Sequence, residues 1–492
     1  MTPAMHDHYA ALDLGSNSFH LLVIREDGAS MQTVDAVKHM VRLGEGLGED
    51  GLLSADSMAR GLAALTQMAE VLRGIPRENV RVVATNTLRV AENGADFIRA
   101  GEAALGFPIE TISGEEEARL IYLGITAHNH FKDKNLVIDV GGGSTEIIVG
   151  DGNAPILLRS LKMGCANMAQ QFFPKGKITR QAIKKAQKHV GQMVEPSIRL
   201  IRKQGFERVI LSSGTAKAVE KILGGRGVTA AQLSALLDTL EDIGDARRLP
   251  SALGVSEERA FGFTGGVVIF ASLFEHLGID RAIVSQEALR EGVILDLMGR
   301  SNSRDERDAT VATFITRFNI AGKQAARVKA LALALQQQLP DLAPPRFIPL
   351  LAHVADLHEI GLAVSHNRQH IHGAYLLENA DMPGFSRLMQ QMMALIVKGQ
   401  RRKFSGKHFD AIPAEHHPFL WQYLRCLRLA VLICRARAPL DKDDYPRLTV
   451  QGKRWILAFP KGYLDARPLT VADLQEEQQY WAQQGDAELL FV

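Results

Sequence analysis

Asp13-Leu-Gly-Ser-Asn-Ser-Phe-His-Leu-Leu-Val-Ile24 recurs later in the chain as Asp139-Val-Gly-Gly-Gly-Ser-Thr-Glu-Ile-Ile-Val-Gly150. Asp13 matches Asp139, Gly15 matches Gly141 and Ser18 matches Ser144, all at one constant offset. In each copy an apolar run leads into a Gly/Ser turn and a second apolar run leaves it. Each copy therefore reads as strand, tight turn, strand. The strands fall at Tyr9–Asp13 and Phe19–Ile24 in the first copy, and at Leu136–Asp139 and Thr145–Val149 in the second. An internal repeat of this kind predicts two similar halves, with a ligand held in the cleft between their turns.

Outward from the repeat, strand-like and helix-like periods alternate. Ser54 to Leu72 reads as an amphipathic helix with Ser54 as N-cap, Val80–Ala84 as a short buried strand, and Asp96–Leu105 as a second helix. Val209 to Thr215 reads as a strand running into a Ser/Gly turn, and Ala282–Ser285 as a late strand. Strands alternating with helices predict an α/β core. From about Asp305 the strand signals fade and helical patterns take over, at 311–318, 325–339, 347–362, 385–398 and 418–436. A boundary is expected near Ser301–Asp305. Weak strand character returns at 448–450 and 456–459 before a last helix around 471–484, which fits a small appended subdomain.

Composition bounds the function. The 492 residues are 46% hydrophobic and 23% charged, an ordinary globular balance that excludes disordered and fibrous classes. A formal net charge of +2 excludes a chain that is basic throughout and binds nucleic acid by its overall charge. Cys165, Cys426 and Cys434 are too few and too scattered for a disulfide framework or a cysteine zinc site. The N-terminal residues lack a basic segment followed by a long apolar one. The Gly-rich apolar stretch 260–274 is short for a bilayer span. The expectation is a cytoplasmic protein with no stable membrane insertion and no nucleic-acid partner.

Several residues carry possible chemistry. Successive backbone N–H groups in the two turns form concave anion nests, and Asn17, Ser18, Ser144 and Thr145 add side-chain donors. Asp13 and Asp139 stand where strand gives way to turn, and a carboxylate beside a phosphate nest usually implies a divalent cation. In Ser113-Gly-Glu-Glu-Glu-Ala-Arg-Leu120, Ser113 and Glu116 form an S-x-x-E capping box, and acidic residues suit the first turn of a helix. That account leaves Glu117 without a task. A carboxylate held ionised there by the helix dipole can orient and deprotonate water. Arg89 fits a bidentate phosphate clamp or an ion pair. Glu146 either reaches a metal held by Asp139 or faces solvent. The basic stretches 174–189 and 398–403 read as solvated faces or as tracks for a polyanion. His353, Asp356, His358, Glu359, His366, His370 and His372 form a dense set resembling a helical His/Asp metal site, except that the pair is His358-Glu359 rather than His-Asp.

Leu12–His20, Ser113–Leu120 and Ile138–Glu146 together resemble the exopolyphosphatase/guanosine pentaphosphate phosphohydrolase family of the actin-like ATPase superfamily. The resemblance spans essentially the whole chain. It implies two actin-like (ribonuclease H-like) α/β domains at 1–124 and 125–304, a mostly α-helical HD-like domain at 305–440 and a small C-terminal α+β subdomain at 441–492. It further implies Glu117 as the catalytic base, and Asp139, Glu146 and Asp13 as the carboxylates of a Mg2+ cofactor site. Phosphate binding falls to Asn17, Ser18, Arg89, Gly141, Gly142, Gly143, Ser144, Gly214 and Thr215. The implied activity is release of orthophosphate from the ends of inorganic polyphosphate. The alternative is conversion of pppGpp (guanosine 5'-triphosphate 3'-diphosphate) to ppGpp. A homodimer is implied, with the helical domain contributing to a polyphosphate channel. A phosphotransferase of the same superfamily, or a polyphosphate- or alarmone-binding regulator without turnover, are the remaining readings.

Overall fold

The computed structural model describes residues 7–27, 30–48, 50–127, 133–225, 227–301, 305–404 and 406–492. Contacts divide the chain into two units, Met1–Asp305 and Glu306–Val492.

The first unit is built on two sheets of matching design. In the first, β1 (His8–Leu14), β2 (Phe19–Asp27), β3 (Ser30–His39), β4 (Val80–Ala84) and β5 (Ile109–Thr111) lie in the order β3-β2-β1-β4-β5. β1, β2 and β3 form an antiparallel meander, and β4 and β5 continue parallel to β1. In the second, β6 (Lys134–Val140), β7 (Thr145–Asp151), β8 (Ala154–Leu161), β9 (Arg208–Ser212), β10 (Val228–Thr229) and β11 (Arg281–Val284) lie in the order β10-β11-β9-β6-β7-β8. Here too a meander, β6-β7-β8, is extended by parallel strands, β9 and β11. The sequence repeat is thus a structural repeat. Its register pairs Asp13 with His20 across the first hairpin and Asp139 with Glu146 across the second.

Helices α1 (Ala55–Val71), α2 (Asn86–Val90), α3 (Gly94–Leu105) and α4 (Gly114–Thr126) accompany the first sheet. Ser54 caps α1, its hydroxyl accepting from Ser57 N–H. Helices α5 (Cys165–Phe172), α6 (Arg180–Gln204), α7 (Gly214–Ile222), α8 (Ala230–Ile243), α9 (Leu249–Leu253) and α10 (Glu257–Leu277) belong to the second. The basic stretch 174–189 supplies the start of α6. Among the described residues α10 is the one helix long and apolar enough to cross a membrane. It runs beyond the apolar stretch read from the sequence. Its apolarity has an internal cause: it packs against α5, α6 and α8, and a helix buried on most of its circumference is apolar all round.

Helix α11 (Leu289–Ser301) follows the second sheet in sequence but packs on α4, β1, β2 and β4. The crossing of α11 on α4 is backbone to backbone. A Cβ on Gly124 would lie 2.7 Å from Gly292 N, and one on Gly292 would strike the Leu120 carbonyl oxygen. Beside the crossing is a buried charge cluster. Arg119 holds Glu116 through two hydrogen bonds of 2.7 and 2.9 Å, and Asp296 accepts from Arg119 (2.5 Å) and Arg81 (2.8 Å). Ser113 does accept from Glu116 N–H (3.1 Å), but the Glu116 carboxylate is committed to these arginines. The capping box therefore explains the Glu116 backbone and leaves its side chain to the charge cluster.

The second unit is helical: α12 (Glu306–Arg317), α13 (Gly322–Gln336), α14 (Leu350–Leu357), α15 (Gln369–Asn379), α16 (Arg387–Gly399) and α17 (His417–Ile433), then α18 (Pro468–Gln484). Its core is aliphatic, Met- and Phe-rich, and runs on into a small sheet of β12 (Arg447–Gln451), β13 (Arg454–Ala458) and β14 (Glu488–Phe491). All three cysteines are buried and free.

Candidate phosphate cleft

The turn after β1 and the turn after β6 face each other. A Cβ on Gly142 would lie 3.2 Å from the Ser16 Cβ and 3.4 Å from Asn17 N. A larger residue there would push the facing turn back by a few tenths of an ångström. Between the turns is a cavity of about 240 Å³. It gathers Asn17, Ser18, Gly141, Gly142, Gly143, Ser144, Gly214 and Thr215 with Asp13, Asp139 and Glu117.

Two predicted residues stand behind this wall rather than in it. The Arg89 guanidinium donates to the Ile112 carbonyl (2.8 Å) and to the Glu117 carboxylate (3.3 Å). It acts here as an anchor for Glu117, not as a group lining the cleft. Glu146 is buried opposite Asp139 in the hairpin register and accepts from Ser160 Oγ at 2.8 Å.

The carboxylates are strained electrostatically. Burial lifts the Glu117 carboxyl to about 7 against the pull of Arg89, with the Asp139 charge adding to the rise. The helix dipole was expected to keep this group acidic, but loss of hydration outweighs it. Burial, then the charge of Glu117, pushes Asp13 up to about 8. Asp139 and Glu146 are raised as well, chiefly by burial.

Cations missed in the sequence complete the cleft: Lys38 from β3, Lys217 from α7, Arg259 from α10 and Arg290 from α11. Lys217, three residues beyond Gly214, was legible as an extension of the Ser213-Gly-Thr loop. Arg259 and Arg290 come from helices with no local signature. His20 contacts Ser18 Oγ at 2.7 Å, and burial, with Arg290 and Lys38 nearby, lowers it to about 3, so it is neutral at working pH.

At the head of α7, Ser213 holds φ at +106° while its hydroxyl accepts from Thr215 N–H and Ala216 N–H. Strained non-glycine backbone of this kind gathers at functional sites. The Arg259 guanidinium lies over Gly214, where an added Cβ would collide with its flexible end. Gly214→Ala is therefore expected to leave thermal stability nearly unchanged while moving Arg259 out of the cleft. Losing one charge-assisted contact, worth about 1.5–3 kcal/mol, raises KM roughly ten- to a hundredfold, as steady-state kinetics will read.

The donor set fits a hard cation in part. Asp13 Oδ1 is buried without a hydrogen-bond partner, and Asp13 and Asp139 both face the cavity. Among the described residues no three His, Cys, Asp or Glu side chains converge into a self-sufficient metal site. That matches Mg2+, which usually takes one or two carboxylates and completes its shell with water and substrate phosphates. The histidine-rich helical region makes no such set either. His353 pairs with Asp308 (2.9 Å), His358 Nδ1 meets the Ala355 carbonyl (2.7 Å) and Glu359 pairs with Arg437.

Two sheets of one topology, facing across paired Gly/Ser turns, define a duplicated actin-like α/β fold. The chain belongs to the Ppx/GppA phosphatase family: it matches that family over residues 22–301 and its domain III over residues 307–478. It is 35% identical over 486 residues, 97% of each chain, to the guanosine-5'-triphosphate,3'-diphosphate pyrophosphatase of Pseudoalteromonas translucida strain TAC 125. Among solved structures it is similar to the Ppx/GppA family member of Aquifex aeolicus, with 23% identity, a TM-score of 0.52, and coverage of 60% of this chain and 98% of that one. An exopolyphosphatase from Cytophaga hutchinsonii is alike in fold, with 22% identity, a TM-score of 0.55, and coverage of 59% and 98%.

Proposed function

We propose that the chain hydrolyses the terminal phosphoanhydride of pppGpp, giving ppGpp and orthophosphate. The observation that carries this reading is the 35% identity, over 97% of both chains, to a protein named for that activity. It moves the nucleotide ahead of inorganic polyphosphate, which the sequence alone had put first. A second feature supports it. Beyond the phosphate cleft lies a chamber of about 690 Å³ whose walls include Phe261, Ala246, Pro250 and Ala260 beside Arg42 and Arg247. A small pocket links the two, sharing Asn17, Cys165 and Thr215 with the cleft and Ala166 and Phe261 with the chamber. A chamber that sets one aromatic ring and small apolar residues beside polar side chains such as Glu45, Asn167 and Gln170 can take the ring and hydroxyls of a nucleoside, whereas an inorganic chain has no apolar part to meet Phe261.

In this reading the terminal phosphate sits between the two turns. Backbone N–H groups of 142 and 143, the hydroxyls of Ser18 and Ser144 and the loop Ser213-Gly-Thr215 donate to its oxygens, and Lys217, Arg259 and Arg290 offset its charge. Asp13 and Asp139 are the residues that would hold a Mg2+ ion, which would supply positive charge against that of the phosphates. Glu117, fixed by Arg89, takes a proton from the water that attacks phosphorus. The P–O bond to the departing ppGpp breaks as the new P–O bond forms.

Orthophosphate release from pppGpp and from long-chain polyphosphate, measured side by side with Mg2+, tests the proposal. The expected result is a kcat/KM for pppGpp at least tenfold the larger. A preference for polyphosphate overturns it.

A further inference from the structure

The helical unit has a cavity of its own, of about 770 Å³. It is lined by six arginines against four carboxylates. Three of those arginines are matched: Arg428 with Glu477, Arg435 with Asp473 and Arg437 with Glu359. Arg368, Arg401 and Arg402 have no carboxylate partner among the described residues, and two of them belong to the basic stretch 398–403. Their field reaches inward: His370, lowered first by burial, is held down further by Arg402, Arg401 and Arg368.

The same cavity has a second kind of unmet group. Glu359 Oε2, Gln369 Oε1 and Gln400 Oε1 are buried acceptors without a hydrogen-bond partner. Their residues are 7%, 7% and 3% exposed. An unsatisfied buried acceptor is costly; these three atoms are closed to water as placed, and a turn of their side chains toward the cavity they help to line is what lets a donor from outside meet them. A metal cation would meet them only in the field of the arginines. The complement of both features is a molecule with a polyanionic end and an N–H- or O–H-bearing end.

We propose that this cavity is a second, non-catalytic binding site for a nucleoside polyphosphate. The phosphates lie against Arg368, Arg401 and Arg402, in the planar bidentate geometry arginine offers. The sugar hydroxyls and base N–H groups donate to Glu359, Gln369 and Gln400. The cavity volume is that of ordinary small-molecule sites, about 300–1,000 Å³. An inorganic oligophosphate satisfies the arginines but has no donors for the acceptors.

The test is calorimetric titration of the full chain carrying Glu117→Gln, with ppGpp and separately with inorganic tripolyphosphate, at fixed salt and Mg2+. One ppGpp binding event is expected to weaken at least tenfold when Arg368, Arg401 and Arg402 are changed together to Gln. Arg401→Gln alone, which keeps most of the surface charge, is expected to weaken it severalfold, so a poorly folded triple variant does not leave the question open. Changing Lys442, Arg447 and Lys461 to Gln removes equal charge elsewhere in the unit and is expected to leave the event intact. Unaltered ppGpp binding in the arginine variants overturns the proposal, as does tripolyphosphate binding at this site as tightly as ppGpp.

Discussion

Glu117→Gln is expected to lower kcat for phosphate release by roughly 10²–10⁴-fold, the usual worth of a positioned general base. The substitution keeps side-chain length. The amide oxygen still accepts the hydrogen bond from Arg89, so the loop around residue 113 and the start of α4 keep their anchor. Loss of turnover with unaltered thermal unfolding is the expected pair of results. A pH profile adds a second readout. The base works only when ionised, and its carboxyl stands near 7 through burial. In the wild type kcat/KM is therefore expected to fall about tenfold per unit below neutral pH and to level off above it. Glu117→Gln removes the part of that limb that belongs to Glu117 and leaves any that belongs to Asp13, whose carboxyl is pushed up to about 8. Turnover surviving within a few-fold would sink the assignment.

Arg119→Met carries the largest expected effect on stability. Methionine fills much of the same volume, so packing is nearly conserved while the charge goes. Glu116 and Asp296 then lose a partner held at 2.5–2.9 Å, and their side chains are almost wholly buried. Stripping one partner from a buried ion cluster costs about 3–5 kcal/mol. Urea unfolding will read the loss as a lower midpoint. Adding Glu116→Gln to Arg119→Met removes one stranded charge and is expected to recover part of it. A second substitution that recovers nothing would mean that Arg119 acts by packing alone.

The two turns were legible because a strand-turn-strand unit is local and occurs twice. Each copy vouches for the other, and the topology β3-β2-β1-β4-β5 against β8-β7-β6-β9-β11 follows from the duplication. What the repeat could not convey is where the copies differ: His20 and Glu146 occupy matching register positions yet differ in chemistry. Glu117 was legible as a residue without a structural task, but not its raised pKa. Burial is a property of the assembled fold, not of a helix start. The place of Arg89 after a strand fits a phosphate clamp or an ion pair, and only the folded chain names the partner, Glu117. Arg259 and Arg290 reach the cleft through helix packing alone, so no spacing along the chain announces them. The histidine-rich region misleads for the opposite reason. Its spacing imitates a ligand set, while His353 turns to Asp308 and His358 to a backbone carbonyl.

Asp296 gives the first sheet a dependence on the order of synthesis. Its carboxylate answers Arg81, 215 residues earlier, and Arg119, 177 residues earlier. At ordinary translation speed, about 5–20 residues per second, the interval after Arg119 is made lasts roughly 10–35 seconds. During that time the N-terminal sheet and α4 exist without the helix that neutralises and covers them. Until α11 is made, Arg81 and Arg119 have Glu110 and Glu116 but not Asp296 to answer them, and the face of α4, β1 and β2 that α11 covers stays open.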